Sequence, residues 1–235
     1  IQEFPGSTNT PAARELSLAS LFDSGKYGDA IKLAEESLSG MKEGTPGHDL
    51  CLHVLGGSLY YSGQNSKAKP ILDEHVAKYP ASSRTIASQY FQAANLSKLR
   101  AWDDAIPLLD AFITKYSDPA ANPFLPFALY DRAAANFSDG SHDAALADLA
   151  RLNREFPESL VAETACMLEG NILRAVSRPD EAKAAYLKSL ALSDKRGNAP
   201  TSAENLSNLV SLLADSSPKE AAAFADRFWK DFGEK

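Results

Sequence analysis

The chain has 235 residues, 44% of them hydrophobic and 23% charged, with a formal charge of −7 from 24 Lys+Arg against 31 Asp+Glu. This is ordinary composition for a folded protein with a sizeable core. The acidic balance and the lack of a basic stripe speak against nucleic-acid binding, and no run of about 18 apolar residues offers a membrane-spanning helix.

The first residues show no helical pattern, and Glu3-Phe4 is what an EcoRI site encodes in frame. Residues 1–10 are therefore expected to be a vector-derived or disordered tail. From Pro11 onward a six-residue phrase recurs. It opens on Gly25, Gly63, Arg100, Gly140, Ser177 and Ser216, and closes on Ala30, Ala68, Ala105, Ala145, Ala182 and Ala221. The closing alanines stand 38, 37, 40, 37 and 39 residues apart. Such a period marks an internal repeat of small supersecondary units.

Other positions keep step with the alanines. Nine residues earlier stand Leu21, Leu59, Leu96, Asn136, Leu173 and Leu212, and twelve earlier stand Leu18, Gly56, Ala93, Ala133, Gly170 and Leu209. Four residues later come Ala34, Leu72, Leu109, Leu149, Tyr186 and Ala225. Apolar and small residues spaced by three or four form one face of a helix, and a small residue at a fixed place allows close helix approach. Each unit is predicted to be a helix A, a short turn, and a helix B that begins near the alanine.

The punctuation agrees. Ser217-Pro218-Lys219-Glu220 reads as a capping box with proline at the first helical position. Pro179 before Asp180-Glu181, and Ser141 before Asp143, mark further helix starts. Tyr79-Pro80 and Phe156-Pro157 close the second and fourth B helices, because proline cannot continue a helix. Longer joints are expected at 40–47, 117–126 and 193–200, after units one, three and five. Alanine distances over two units are 75, 77, 77 and 76, which admits a reading in which the units repeat as pairs.

These residues resemble a known family. Leu55-Gly56, Tyr60-Tyr61-Ser62-Gly63, Ala68 and Tyr79-Pro80 are similar to the tetratricopeptide (TPR) consensus. Tyr27 and Trp102 stand where that consensus has an aromatic after the turn. Ala133, Phe137, Gly140, Ala145 and Pro157 repeat the order in the fourth unit. The resemblance spans roughly Pro11 to Phe232 and departs in period, 37–40 residues against about 34. It implies an all-α fold, a right-handed α-solenoid of six TPR-like helix–turn–helix repeats forming one domain over 11–235. The proline loops are similar to those of bacterial envelope TPR proteins of the Tol–Pal and outer-membrane-assembly kind, which implies a periplasmic or envelope setting rather than the cytoplasm.

Chemistry is harder to find. His48, Cys51 and His53 make the one grouping with metal-ligand character, but offsets of three and five do not share a helix face, and no second Cys/His pair completes a tetrahedral site. The two cysteines, Cys51 and Cys166, read as packed thiols, too few for a disulfide framework. Asp103-Asp104 and Asp180-Glu181 sit at helix starts, where acids favour the macrodipole, and Glu35-Glu36 falls on a solvated face. There is no phosphate-cradling glycine loop, no Gly-x-Ser-x-Gly elbow and no HExxH. Neither an enzyme activity nor a metal or cofactor is expected.

The resemblance also implies that A helices line a concave groove where partners lie. On that basis His53, Tyr60, Tyr90, Lys98, Tyr130, Phe137, Asn171 and Arg174 are the candidate partner-binding residues, aromatics and Arg being the types that dominate interface energetics. The alternative for the aromatic rows is packing between adjacent A helices. The last helix carries Phe224, Phe228, Trp229 and Phe232, and Phe228 and Trp229 are candidates for a terminal interface. The expected function is a scaffold or adaptor that binds a segment of another protein, with neither nucleic acid nor membrane insertion. The alternative is a structural subunit that builds a homo-oligomer or an envelope assembly through its terminal faces.

Overall fold

The computed structural model describes residues 11–233. The tail reading of residues 1–10 lies outside the described residues. Among those residues there are twelve α-helices and no strand, falling into two compact units, one up to Ser117 and one from Asp118.

The first unit holds three hairpins: α1 (Pro11–Asp23) with α2 (Tyr27–Leu38), α3 (His48–Tyr61) with α4 (Asn65–Lys78), and α5 (Thr85–Lys98) with α6 (Trp102–Lys115). Each helix packs on its successor, and the first helices of the hairpins also pack together, α1 on α3 and α3 on α5. The second unit repeats the plan with α7 (Leu125–Ser138) and α8 (His142–Glu155), α9 (Ala162–Ala175) and α10 (Pro179–Arg196), and α11 (Ala199–Leu213) and α12 (Pro218–Phe232). There α9 contacts both α7 and α11.

The recurring phrase is the hairpin turn. Gly25, Gly63, Arg100, Gly140 and Ser177 all adopt positive φ, at 71°, 74°, 58°, 84° and 60°. In each, the next residue's N–H reaches back to the carbonyl of Leu21, Leu59, Leu96, Asn136 or Leu173, at 2.7–3.0 Å. This 6→1 bond is a Schellman closure, which satisfies carbonyls that the helix end leaves bare. In these five units the row nine residues before the alanine is therefore the acceptor row of the turn, whereas the sixth turn closes through the Ser217 N–H on the Leu213 carbonyl at 2.8 Å.

All six anchoring alanines are buried, as are the residues twelve positions earlier. Where those are small, they admit bulk from helix B. A Cβ on Gly56 would stand 2.7 Å from Leu72, and one on Gly170 would stand 2.5 Å from Tyr186. Side-chain volume at one position is traded against volume at the other, as dense packing demands.

Three sequence readings need correction. Ser217 does precede α12 and Pro218 stands in its first turn, but Ser217 makes no side-chain cap bond. Glu220 instead bonds Lys183 Nζ at 2.8 Å, so the capping-box acid serves a tertiary ion pair. Ser141 likewise gives α8 no side-chain cap. Of the joint expected at 193–200 only Gly197 and Asn198 lie outside the helices: α10 runs on to Arg196, Gly197 is left-handed with φ at 69°, and α11 starts at Ala199. Asn198 then caps α11 by accepting from the Thr201 N–H at 3.4 Å.

Candidate functional site

The aromatic rows of the first unit converge on one residue that the sequence did not single out. Phe91 of α5 has its ring centroid 6.2 Å from His53, 5.4 Å from Tyr60, 5.3 Å from Tyr61 and 5.7 Å from Tyr90. Phe22 of α1 closes the cluster against His53 at 5.6 Å and Phe91 at 6.5 Å. The close fit depends on Gly57, whose added Cβ would meet both Phe22 and Phe91 at 2.9–3.2 Å. His53, Tyr60 and Tyr90 are thus brought together, and what joins them is packing between neighbouring A helices.

Burial separates the members. Tyr90 is only 5% exposed and His53 is buried, so neither offers contact area on this surface. Tyr60 and Tyr27 are half-buried. Tyr61 is 47% exposed and lies stacked on Tyr27, with 5.0 Å between centroids. Burial against the cluster, with the neighbouring Tyr27, pushes the Tyr61 phenol above its usual range. Lys98 is exposed at the end of α5. Tyr27 could have been found in the sequence as the consensus aromatic after the turn, and Tyr61 as the neighbour of Tyr60. For Phe91 no local signal exists.

Behind this face lies a polar network that the sequence did not suggest. His75 Nε2–H donates to Asp49 Oδ1 at 2.6 Å, and Asp49 Oδ2 accepts from Ser82 Oγ at 2.9 Å and from Arg84 Nη1 at 2.7 Å. Burial works against the Asp49 carboxylate, but these bonds and the Arg84 charge hold its pKa below the ordinary value. His53 Nδ1 meets Ser88 Oγ at 2.9 Å, and His48 Nδ1 meets the Tyr79 hydroxyl at 2.8 Å. His48, Cys51 and His53 therefore serve different neighbours, with Cys51 buried beside Ser37.

In the second unit the candidates are less gathered. Tyr130 and Phe137 are half-buried on α7. Burial, with the charges of Asp131 and Glu204, raises the Tyr130 phenol despite a hydrogen bond to Thr164. The Phe137 ring lies 5.6 Å from His142. Asn171 is turned toward Tyr186, whose hydroxyl donates to its Oδ1 at 2.7 Å. Arg174, one turn along α9, is exposed. On α12, Phe224, Phe228 and Phe232 pack against a core of Tyr186, Leu190, Leu206 and Leu209. Phe228 is thus partly committed to the interior, while Trp229 is 70% exposed. Among the described residues no three His, Cys, Asp or Glu side chains gather as a metal site, and no helix is long and apolar enough to cross a membrane.

No protein-family model matches the chain, and no curated protein sequence does. Solved structures do. MamA residues 41 to the end from Desulfovibrio magneticus RS-1 superposes with a TM-score of 0.64 at 17% identity, over 80% of this chain and 97% of that one. The TPR-like repeats of a putative kinesin light chain of Podosopora anserina give 0.63 at 17%, over 81% and 100%. A mutant form of MamA gives 0.59 at 16%, over 80% and 94%. At such identities the likeness carries the fold, and it reaches the repeat class without reaching the envelope-type subgroup. The chain is an all-α protein whose hairpins, packed in succession within each unit, have the TPR-like solenoid fold.

Proposed function

We propose that the chain is a protein-binding scaffold and that a segment of another protein docks on the aromatic face formed where α3 ends against the start of α2. The observation that carries this reading is the Tyr27–Tyr61 stack, flanked by Tyr60 and exposed over about half of Tyr61. Large rings already fixed by Phe22 and Phe91 lose little side-chain freedom on binding, so more of the contact energy survives as affinity. Tyrosines so presented are among the residues that most often anchor interfaces. The TPR-like fold supports the same reading, as do Tyr130, Phe137 and Arg174, which remain accessible in the second unit. His53 and Tyr90 enter this proposal as supports for the face.

The experiment is affinity capture from native lysate, followed by titration of the captured protein onto purified chain. Wild type should bind, and Tyr27→Ala with Tyr61→Ala should weaken binding by about tenfold or more. Unchanged affinity in that variant would overturn the proposed face.

A second reading rests on Trp229, which stands exposed on α12 beside the packed Phe228 at 5.9 Å. In that reading the terminal helix builds an assembly. Trp229→Asp should then lower the mass seen by light scattering, with the Tyr27 and Tyr61 substitutions leaving it unchanged.

A further inference from the structure

Three of the four histidines lie in the first unit, and two of them, His53 and His75, face one another inside it with 5.7 Å between ring centroids. The His75 side chain is fully buried. We propose that the α3–α4–α5 junction is an acid-sensitive latch, in which His53 and His75 take up protons only when the junction opens, so that the first unit loosens below neutral pH while the second stays closed.

Hydrogen bonding sets the first constraint. His75 already donates through Nε2 to Asp49, so a second proton must go to Nδ1. That atom is buried with no hydrogen-bond partner among the described residues, and a buried donor without an acceptor is costly. His53 sits between Phe22 and Phe91, with Ser88 on Nδ1. His53 is packed against aromatic rings, and the one carboxylate that His75 bonds already serves Arg84, so neither ring is set to receive a further charge.

Charge balance sets the second. Asp49 is the carboxylate bonded to His75, and Arg84 already occupies its other oxygen at 2.7 Å. Protonating both imidazoles would place two further positive charges beside one compensated carboxylate. The remaining neighbours do not offset them. From α1 come Phe22, and farther along Glu15 and Arg14 beside Cys51; from α2 come Tyr27 and Ser37; from the end of α4, Tyr79 on His48; from α5, Ser88 and Phe91.

Burial, with the charges of His75 and Arg84, lowers the His53 pKa to about 4, and burial lowers His75 as well. In the opened junction both imidazoles return to about 6.5. The opened form therefore binds more protons in that window. Stability is fully present above about 6.5 and is lost as pH falls toward 4. For His53 alone, going from pH 7 to pH 5 favours opening by roughly 20-fold. The second unit carries only His142, half-buried at the start of α8, and a stack of hairpins can open locally.

The test is hydrogen exchange of the whole chain at pH 7.5 and 5.0, corrected for intrinsic exchange rates. Peptides of α3–α5 should lose protection by about tenfold or more relative to those of α9–α11. In the double variant His53→Gln, His75→Gln the difference should fall below about threefold. Equal losses in both units, or an undiminished difference in the variant, would overturn the latch. Should the variant fail to fold, a two-dimensional NMR titration of the wild-type imidazoles decides: two rings titrating near 6.5 contradict the proposal, and two well below it support it.

Discussion

A Cβ placed on Gly170 would lie 2.5 Å from Tyr186 Cε1, and the Tyr186 hydroxyl in turn bonds Asn171 at 2.7 Å. The pair is one instance of a rule running through the chain. Sixteen residues apart stand Leu18 and Ala34, Gly56 and Leu72, Ala93 and Leu109, Ala133 and Leu149, Gly170 and Tyr186, and Leu209 and Ala225. In each pair one member is small. Gly→Ala inside a helix normally stabilises by about 1 kcal/mol, so the sign of Gly170→Ala is diagnostic. It should destabilise by about 1–3 kcal/mol through overpacking, measured by urea unfolding. Tyr186→Leu in the same chain should recover part of that loss as a coupling of more than about 0.5 kcal/mol.

Arg100 and Ser177 hold the left-handed conformation that Gly25, Gly63 and Gly140 hold in the matching turns. A side chain there costs about 1–2 kcal/mol, less the entropy a glycine loses on folding. Arg100→Gly and Ser177→Gly should each raise stability by about 0.5 kcal/mol or more, visible as a higher Tm. Gly140→Ala should lower it.

Asp148 is almost fully buried and receives two bonds from Arg132, Nε at 2.8 Å and Nη2 at 2.5 Å. This bidentate pair ties α7 to α8. Asp148→Ala leaves a guanidinium in a poorly solvated place and should cost about 3 kcal/mol. Asp148→Asn, which keeps the shape and one acceptor, should cost less in the same denaturant titration.

Tyr90 and Tyr61 touch the same Phe91 yet should respond differently. Tyr90→Ala empties a packed site and should cost about 3–5 kcal/mol. Tyr61→Ala trims a half-exposed ring and should cost about 1 kcal/mol. Thermal unfolding of the two single variants separates them.

What the sequence conveyed and what it withheld follow one division. The repeat was legible because turn and helix face are local: a left-handed residue, an acceptor nine positions before the alanine, a small residue twelve before it. The aromatic rows were legible as rows, but Tyr90 and Tyr130 look equivalent in sequence and differ in burial, because Tyr90 lies between α5 and α6 near Phe112. The network of Asp49, His75, Ser82 and Arg84 was not legible, since its members come from α3, α4 and the loop before α5, up to 35 residues apart. The Ser217 capping box failed for a related reason: Glu220 found Lys183, 37 residues away.

The role of the Tyr27–Tyr61 stack as a binding face is decided by the affinity of a captured protein for three chains. These are the wild type, the Tyr27→Ala, Tyr61→Ala variant and Trp229→Asp, each confirmed folded by circular dichroism. The tyrosine variant should lose about tenfold or more in affinity, and Trp229→Asp should change it little. Full affinity in the tyrosine variant, with loss in Trp229→Asp, would contradict that role.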